Sequence, residues 1–248
     1  MSAPASLPRM VRAQAGMELR LTARRGENLF VTLILPAALL VFFASVPVLP
    51  SEGPSPAAFL LPGAIGLAIM ATAFVNLGIS TAFERGYGVL KRLGGSPLPR
   101  SGLLAAKVLA VAVVEGIGVV ILVLVAFALG WRPDPAIAPA VIMAAALLGT
   151  FAFASLGLLL AGALRPEATL ALANAIFVLF LLVGGVILPI AKLPEPLATA
   201  ARLLPSGALT DALRAGFTGS GEAVVPLLVL AAWGVVAALV TARTFRWE

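Results

Sequence analysis

An all-α, polytopic membrane protein is predicted by three features of the chain: its apolar content, the spacing of its charges, and their uneven distribution about the apolar runs. Hydrophobic residues make up 61% and charged residues 11% of the sequence, with a mean hydropathy of +1.09, whereas a soluble domain carries roughly 25% charged residues. Uncharged stretches cover residues 29–51, 53–83, 135–164, 168–191 and 223–242, and a sixth, 108–131, is interrupted only by Glu115. Each is long enough to cross a hydrocarbon core of about 30 Å at about 1.5 Å rise per residue. Six transmembrane helices are therefore expected, near 29–49, 58–82, 102–130, 137–163, 168–189 and 223–243. With short connections these leave no room in the 248 residues for a separate soluble domain.

Residues 1–28 form a tail with five arginines. Within it, residues 7–25 predict an interfacial helix with Met10, Met17 and Leu21 toward lipid and Arg9, Arg20 and Arg24 toward headgroups. Gln14 and Glu18 fall on the otherwise apolar side, so a basic tail lying on anionic lipid is the alternative. The apolar run that follows is long enough to remain as an anchor rather than be cleaved as a signal peptide. Pro36 within it is tolerable because neighbouring helices satisfy the freed carbonyl. With both termini placed in the cytoplasm, only Arg132, Lys192, Arg202 and Arg214 of the 17 lysines and arginines lie outside, the bias expected of inward-facing connections.

Between the second and third expected spans, residues 84–97 set Glu84, Arg85, Lys91 and Arg92 at helical spacing with Leu90 and Leu93. That pattern predicts a short amphipathic helix at the membrane face, suited to docking a partner. Ser96 and Pro97 end it and re-aim the chain. In the third span Glu115 is an isolated acid. A hydrogen bond to Asn76 or Ser80 on the second span, a cavity-facing substrate contact and a snorkel toward the lipid side are the alternatives. Small-residue steps such as Gly149 with Phe153 and Gly157, or Gly116 with Val120, suggest tight helix packing.

After the fifth span, residues 189–218 are too polar and too interrupted to cross. Pro194, Pro196 and Pro205 divide them into two short helices over 197–204 and 206–217. These are expected on the outer side, dipping back toward the bundle to line an exit, with a plain external loop as the alternative. Gly184 and Gly185 before Pro189 predict close helix approach and a break in the fifth span.

Composition also narrows the chemistry. Without cysteine or histidine the chain has no thiol nucleophile, imidazole base or metal cluster of the usual kind, so no catalytic and no metal-ligating residues are expected. The net charge of +6 sits at the ends of apolar runs and reads as a topology signal, not as a nucleic-acid surface. No Gly-Lys dipeptide occurs, so a phosphate-cradling P-loop is not available and no cofactor is expected in this chain.

The connector and the outer segment together resemble the permease subunit of ABC-2 type ABC exporters. The family's connector reads Glu-Arg, two variable residues, Gly-Thr-Leu, a variable residue, Arg-Leu, then Thr or Ser with Pro. Glu84, Arg85, Gly88, Leu90, Arg92, Leu93, Ser96 and Pro97 fall in that register, with Val89 in place of the threonine and Gly94-Gly95 in place of bulkier residues. The family's second series, after the fifth span, is matched in order by Gly185-Val186, Pro189, Leu193-Pro194, Pro205 and Leu213-Arg214.

This resemblance implies a single transmembrane domain over 29–248, in a dimer with an identical or paralogous permease. Two ABC ATPase subunits would sit on the cytoplasmic side and hold the ATP and magnesium. It further implies that residues 84–97 are the coupling helix, that Arg165 and Glu167 are a second ATPase contact, and that Gly185, Pro189, Pro194, Pro205 and Arg214 belong to an external gate of about 190–218. The expected setting is the lipid of a prokaryotic cell membrane. The expected cargo is an amphipathic drug-like compound or lipid, with Phe74, Asn76, Glu115, Phe177 and Phe180 as candidates for the path or, alternatively, for bundle packing or lipid contact. Polysaccharide or teichoic-acid export is a second reading, thinly supported by one tyrosine and three tryptophans. A passive channel would transport without an ATPase, and an intramembrane enzyme needs a reactive set that Glu115 and Ser80 do not make.

Overall fold

The structure, a computed structural model, describes residues 5–24, 26–46, 55–186 and 189–245, and every regular element among them is helical. Helix α1 (Leu7–Arg24) precedes α2 (Gly26–Ser45). A long helix, Pro56–Gly86, then runs as α3 (Pro56–Ile69), a π-helical stretch (Met70–Asn76) and α4 (Leu77–Gly86). The connector contains only the short α5 (Val89–Leu93). Next come α6 (Arg100–Ala128), α7 (Pro139–Ala163), α8 (Pro166–Val183), α9 (Glu195–Leu203), α10 (Pro205–Thr218) and α11 (Val224–Thr244). Five helices among the described residues are long and apolar enough to cross a membrane, and Thr32–Ser45 is a shorter apolar stretch. The far end of the first expected span, 47–49, lies outside the described residues.

Local signals set most of these boundaries. Ser55 caps α3, accepting from the Ala58 N–H at 3.2 Å, and Pro56 occupies the first turn, where no amide partner is needed. Helix α6 ends on Gly130 at φ +87°, with Trp131 N donating to Ala126 O at 2.9 Å and Gly130 N to Phe127 O at 3.1 Å. This is a Schellman closure, which requires a left-handed residue at that point. Helix α8 ends at Val183, earlier than the expected 189, because the chain turns through Gly185 at φ +71°.

The long helix Pro56–Gly86 is the most enclosed, with α2, α6, α7, α8 and α10 packed around it. Phe74 and Phe153 are buried and Phe180 nearly so, with ring centroids 5.8 to 6.3 Å apart, each such pair contributing about 0.5–1.5 kcal/mol beyond area burial. Gly78 and Gly157 let the long helix and α7 approach backbone to backbone; a Cβ on Gly157 would lie 3.0 Å from Ala73 O and nearer still to Phe74 O. Gly149 leaves room instead for a side chain, that of Leu209 on α10, whose Cδ1 would stand 2.7 Å from an added Cβ. Gly116, by contrast, has no atom within 4 Å of where a Cβ would stand. The expected Gly116–Val120 packing step is therefore corrected: that face of α6 carries exposed Val113, Ile117 and Val120.

Gly157→Val is expected to lower the melting temperature of the purified protein, at a cost of about 1–3 kcal/mol from overpacking. Gly116→Ala should leave it unchanged or slightly raised. Fluorescence-monitored unfolding in one detergent checks both, and equal effects would contradict the close approach.

Candidate functional site

One end of the bundle gathers the connector, α1, the start of α6 and the α7–α8 turn. Lys107 of α6 is 2% exposed there and donates to Glu84 Oε2 at 2.6 Å and to Glu18 Oε2 at 3.1 Å. Gln14 Nε2 donates to Glu18 Oε1 at 2.9 Å. The two residues that spoiled the apolar face of the interfacial helix therefore face protein, while Met17 and Leu21 are exposed. Arg85 donates through Nη1 to Gly162 O at 2.7 Å and through Nη2 to Leu164 O, capping carbonyls that the C-terminus of α7 would otherwise leave open.

These contacts correct the expected amphipathic helix. Glu84 and Arg85 belong to the long helix and are occupied inside the protein. The helix breaks at Tyr87 and at Gly88 (φ +70°), and α5 supplies barely more than one turn. Leu90 is fully buried and Leu93 half-buried, whereas Tyr87, Val89 and Arg92 are exposed, followed by exposed Ser96 and Pro97. Arg165 and Glu167 are exposed beside this surface, since Pro166 approaches Gly86, where an added Cβ would stand 2.8 Å from its Cγ. The structure thus brings the two expected docking elements together.

Asn76 and Phe177 meet in an open apolar groove of about 440 Å³ between α2, the long helix and α8. Phe74 and Phe180 do not: they sit in the ring cluster described above, away from this groove. On its other side Asn76, with Thr32, borders a polar space of about 80 Å³ reaching down to Glu18, Glu84 and Lys107. Glu115 is 6% exposed, and its partner is Thr150 of α7, whose Oγ1 lies within hydrogen-bond reach of Glu115 Oε2. The expected bonds to Asn76 or Ser80 are not made; Asn76 Nδ2 instead donates to Thr32 Oγ1 at 3.5 Å, and Ser80 Oγ to Leu77 O at 3.1 Å.

At the opposite end α9 and α10 form the two expected short helices, and α10 packs against α7, α11 and α3. Arg214 donates to Gly185 O at 2.9 Å and Phe59 O at 3.1 Å, with its guanidinium 5.1 Å from the Phe59 ring centre. Thr210 Oγ1 donates to Gly184 O at 2.5 Å. The broken end of α8 is thereby tied to α3 and α10, and Pro205 is buried at the start of α10, while Pro194 precedes α9 and is exposed. Pro189, Arg202, Asp211 and Arg214 line an open cavity of about 620 Å³. Burial pushes the Asp211 carboxyl above its usual range, against the pull of Arg202 and Arg214.

The described residues form a helical bundle with the connector and its short α5 at one end and the packed pair α9 and α10 at the other. The ABC-2 type transporter family matches residues 12–218, and the chain belongs to that family. It is also similar to a Bacillus subtilis (strain 168) protein named Putative transport permease YvfS, 24% identical over 202 residues, which cover 79% of this chain and 81% of that protein. The chain is accordingly a membrane subunit of a transporter.

Lys107→Met is expected to destabilise the protein strongly, by about 3–5 kcal/mol, because two carboxylates then share a poorly hydrated site without their cation. Arg92→Ala, at an exposed position, should cost less than about 0.5 kcal/mol. Detergent unfolding curves for the two variants separate these outcomes.

Proposed function

We propose that this permease is the transmembrane half of an ATP-driven exporter that moves an amphipathic drug-like compound or lipid outward from the cytoplasm or inner leaflet. The chain crosses the membrane of a prokaryotic cell six times in this reading, α2 supplying the first crossing, with both termini inside. Two copies, or a copy and a paralogue, bind two ATPase subunits that hold the ATP and magnesium. The observation that carries the reading is the composite surface of Tyr87, Val89 and Arg92 with Arg165 and Glu167, exposed at the end of the bundle where basic residues concentrate. Charged and apolar side chains together suit a protein groove better than lipid. Glu84 and Arg85, locked behind that surface, pass its movement to α6, α1 and α7. The apolar groove at Asn76 and Phe177 supports an amphipathic cargo rather than a sugar chain. Residues 190–218 serve as the external gate, held by Arg214 and Gly185.

Joint replacement Val89→Asp and Arg92→Glu is expected to leave the permease inserted and folded but to remove most of a co-expressed ATPase subunit on purification. Undiminished association, or substrate-stimulated ATP hydrolysis as in the parent complex, would reject the docking assignment.

The topology is open to cysteine labelling because the chain has no cysteine of its own. Glu195→Cys, at an exposed position, should react with a membrane-impermeant thiol reagent in intact cells, while Thr210→Cys, at a fully buried position, should resist it before and after lysis. Labelling of the Glu195 position only after lysis would invert the orientation.

A further inference from the structure

The polar space of about 80 Å³ at the docking end lies between α1, α2, the long helix and α6. One wall is a row on the long helix with four-residue spacing, Thr72, Asn76, Ser80 and Glu84. In an α-helix such a row drifts by about 40° per step, and the wider π-helical turns over Met70–Asn76 offset part of that drift. Three of the four hydroxyls around this space direct their protons elsewhere: Thr22 donates to Glu18 O at 2.9 Å, Thr72 to Ala68 O at 2.8 Å and Ser80 to Leu77 O at 3.1 Å. A hydroxyl has one proton and two lone pairs, so these groups turn only acceptors to the cavity. Asn76 gives one Nδ2 proton to Thr32 and keeps the acceptor Oδ1 beside its second N–H. Glu84 receives Lys107 on Oε2, and no described group donates to its Oε1. Two carboxylates facing one ammonium give the space a formal charge of −1.

Thr32 and Asn76 line both this space and the apolar groove on their far side, where Leu35, Leu39, Val75, Phe177 and Leu181 form the wall. We propose that the polar space binds the N–H-bearing ammonium group of a cationic amphipath whose hydrocarbon part lies in the adjoining groove. The inference rests on the export reading and names the class of cargo. A carboxylate head, or a phosphate head that carries no ammonium, would meet only like charge and lone pairs. A sugar head would bring more hydroxyl donors and acceptors than the wall can match. A quaternary ammonium carries the charge but has no N–H for Glu84 Oε1, Asn76 Oδ1 and Ser80 Oγ. The volume accommodates several water-sized groups, enough for an ammonium with its nearest waters.

The test uses the purified full-length permease in phosphatidylcholine nanodiscs without ATPase, titrated with decylammonium and with decyltrimethylammonium. Wild type is expected to bind the first about tenfold more tightly, the scale of a charge-assisted hydrogen bond. Ser80→Ala and Glu84→Gln should each reduce that preference several-fold; Ser80→Ala leaves the Lys107 ion pairs intact and so reads the site even if Glu84→Gln folds poorly. Equal affinity for the two compounds in wild type, or a preference retained in both variants, overturns the proposal. If phosphatidylethanolamine in the nanodisc weakens decylammonium binding, the natural head belongs to an aminolipid; if it does not, the head belongs to a free amphipathic amine. Loss of the preference with ATP-driven transport intact sinks this inference alone, whereas failed ATPase association with the preference intact sinks only the export reading.

Discussion

Lys107 joins three segments that are distant in sequence. Its ammonium, 2% exposed, draws Glu18 of α1 and Glu84 of the long helix onto α6, and the next residue, Arg85, fastens the same helix end to the last carbonyls of α7. A buried cation with one partner removed is costly, by about 3–5 kcal/mol, so these helices hold one arrangement at the connector end. The rest of the bundle tolerates looser chemistry, because apolar helices in lipid gain little from one another except through close packing. That packing is visible where Gly78, Gly149 and Gly157 bring α7 against the long helix and α10.

The sequence carried the architecture plainly and the site only in outline. Helix positions, the short helical pair α9 and α10 and the break at Gly185 followed from apolar length, proline spacing and paired glycines, all local signals. The α8 boundary moved because a left-handed glycine ends a helix wherever it falls. Amphipathic spacing alone put Glu84 and Arg85 on the short connector helix, whereas they end the long one. A charged face on a short helix looks the same whether it meets a partner or neighbouring helices, and the partners here, Lys107 and the α7 carbonyls, are 23 and 77 or more residues away. Gln14 and Glu18 were the counter-signal: two polar residues on an apolar stripe indicate a buried partner as readily as a poor helix. Glu115 illustrates the same limit, since its neighbour Thr150 sits on the next helix at a distance no spacing rule reaches.

The polar row Thr72, Asn76, Ser80 and Glu84 was also open to inspection as four polar residues with constant spacing in an apolar span. What the sequence did not show is that three of the four hydroxyls lining the space, those of Thr22, Thr72 and Ser80, donate to their own backbones. Donor direction, not residue type, makes the cavity acceptor-rich. Threonine and serine side chains at the same positions with free protons would have welcomed an anion equally well.

Glu84 belongs to both parts of the protein at once. Its Oε2 accepts from Lys107 behind the connector, and the same side chain lines the polar space. Any tilt of the connector that loosens Glu84 from Lys107 also changes the charge presented to a bound head, because an unpaired carboxylate attracts an ammonium more strongly than a paired one. Conversely, an ammonium that pairs with Glu84 weakens its hold on Lys107 and eases the movement of α6 and α1 relative to the long helix. In the proposed reading, coupling between cargo and ATPase needs no relay through the bundle: by linkage, whatever cargo would do to the Lys107–Glu84 pair, docking would do to cargo affinity in equal measure.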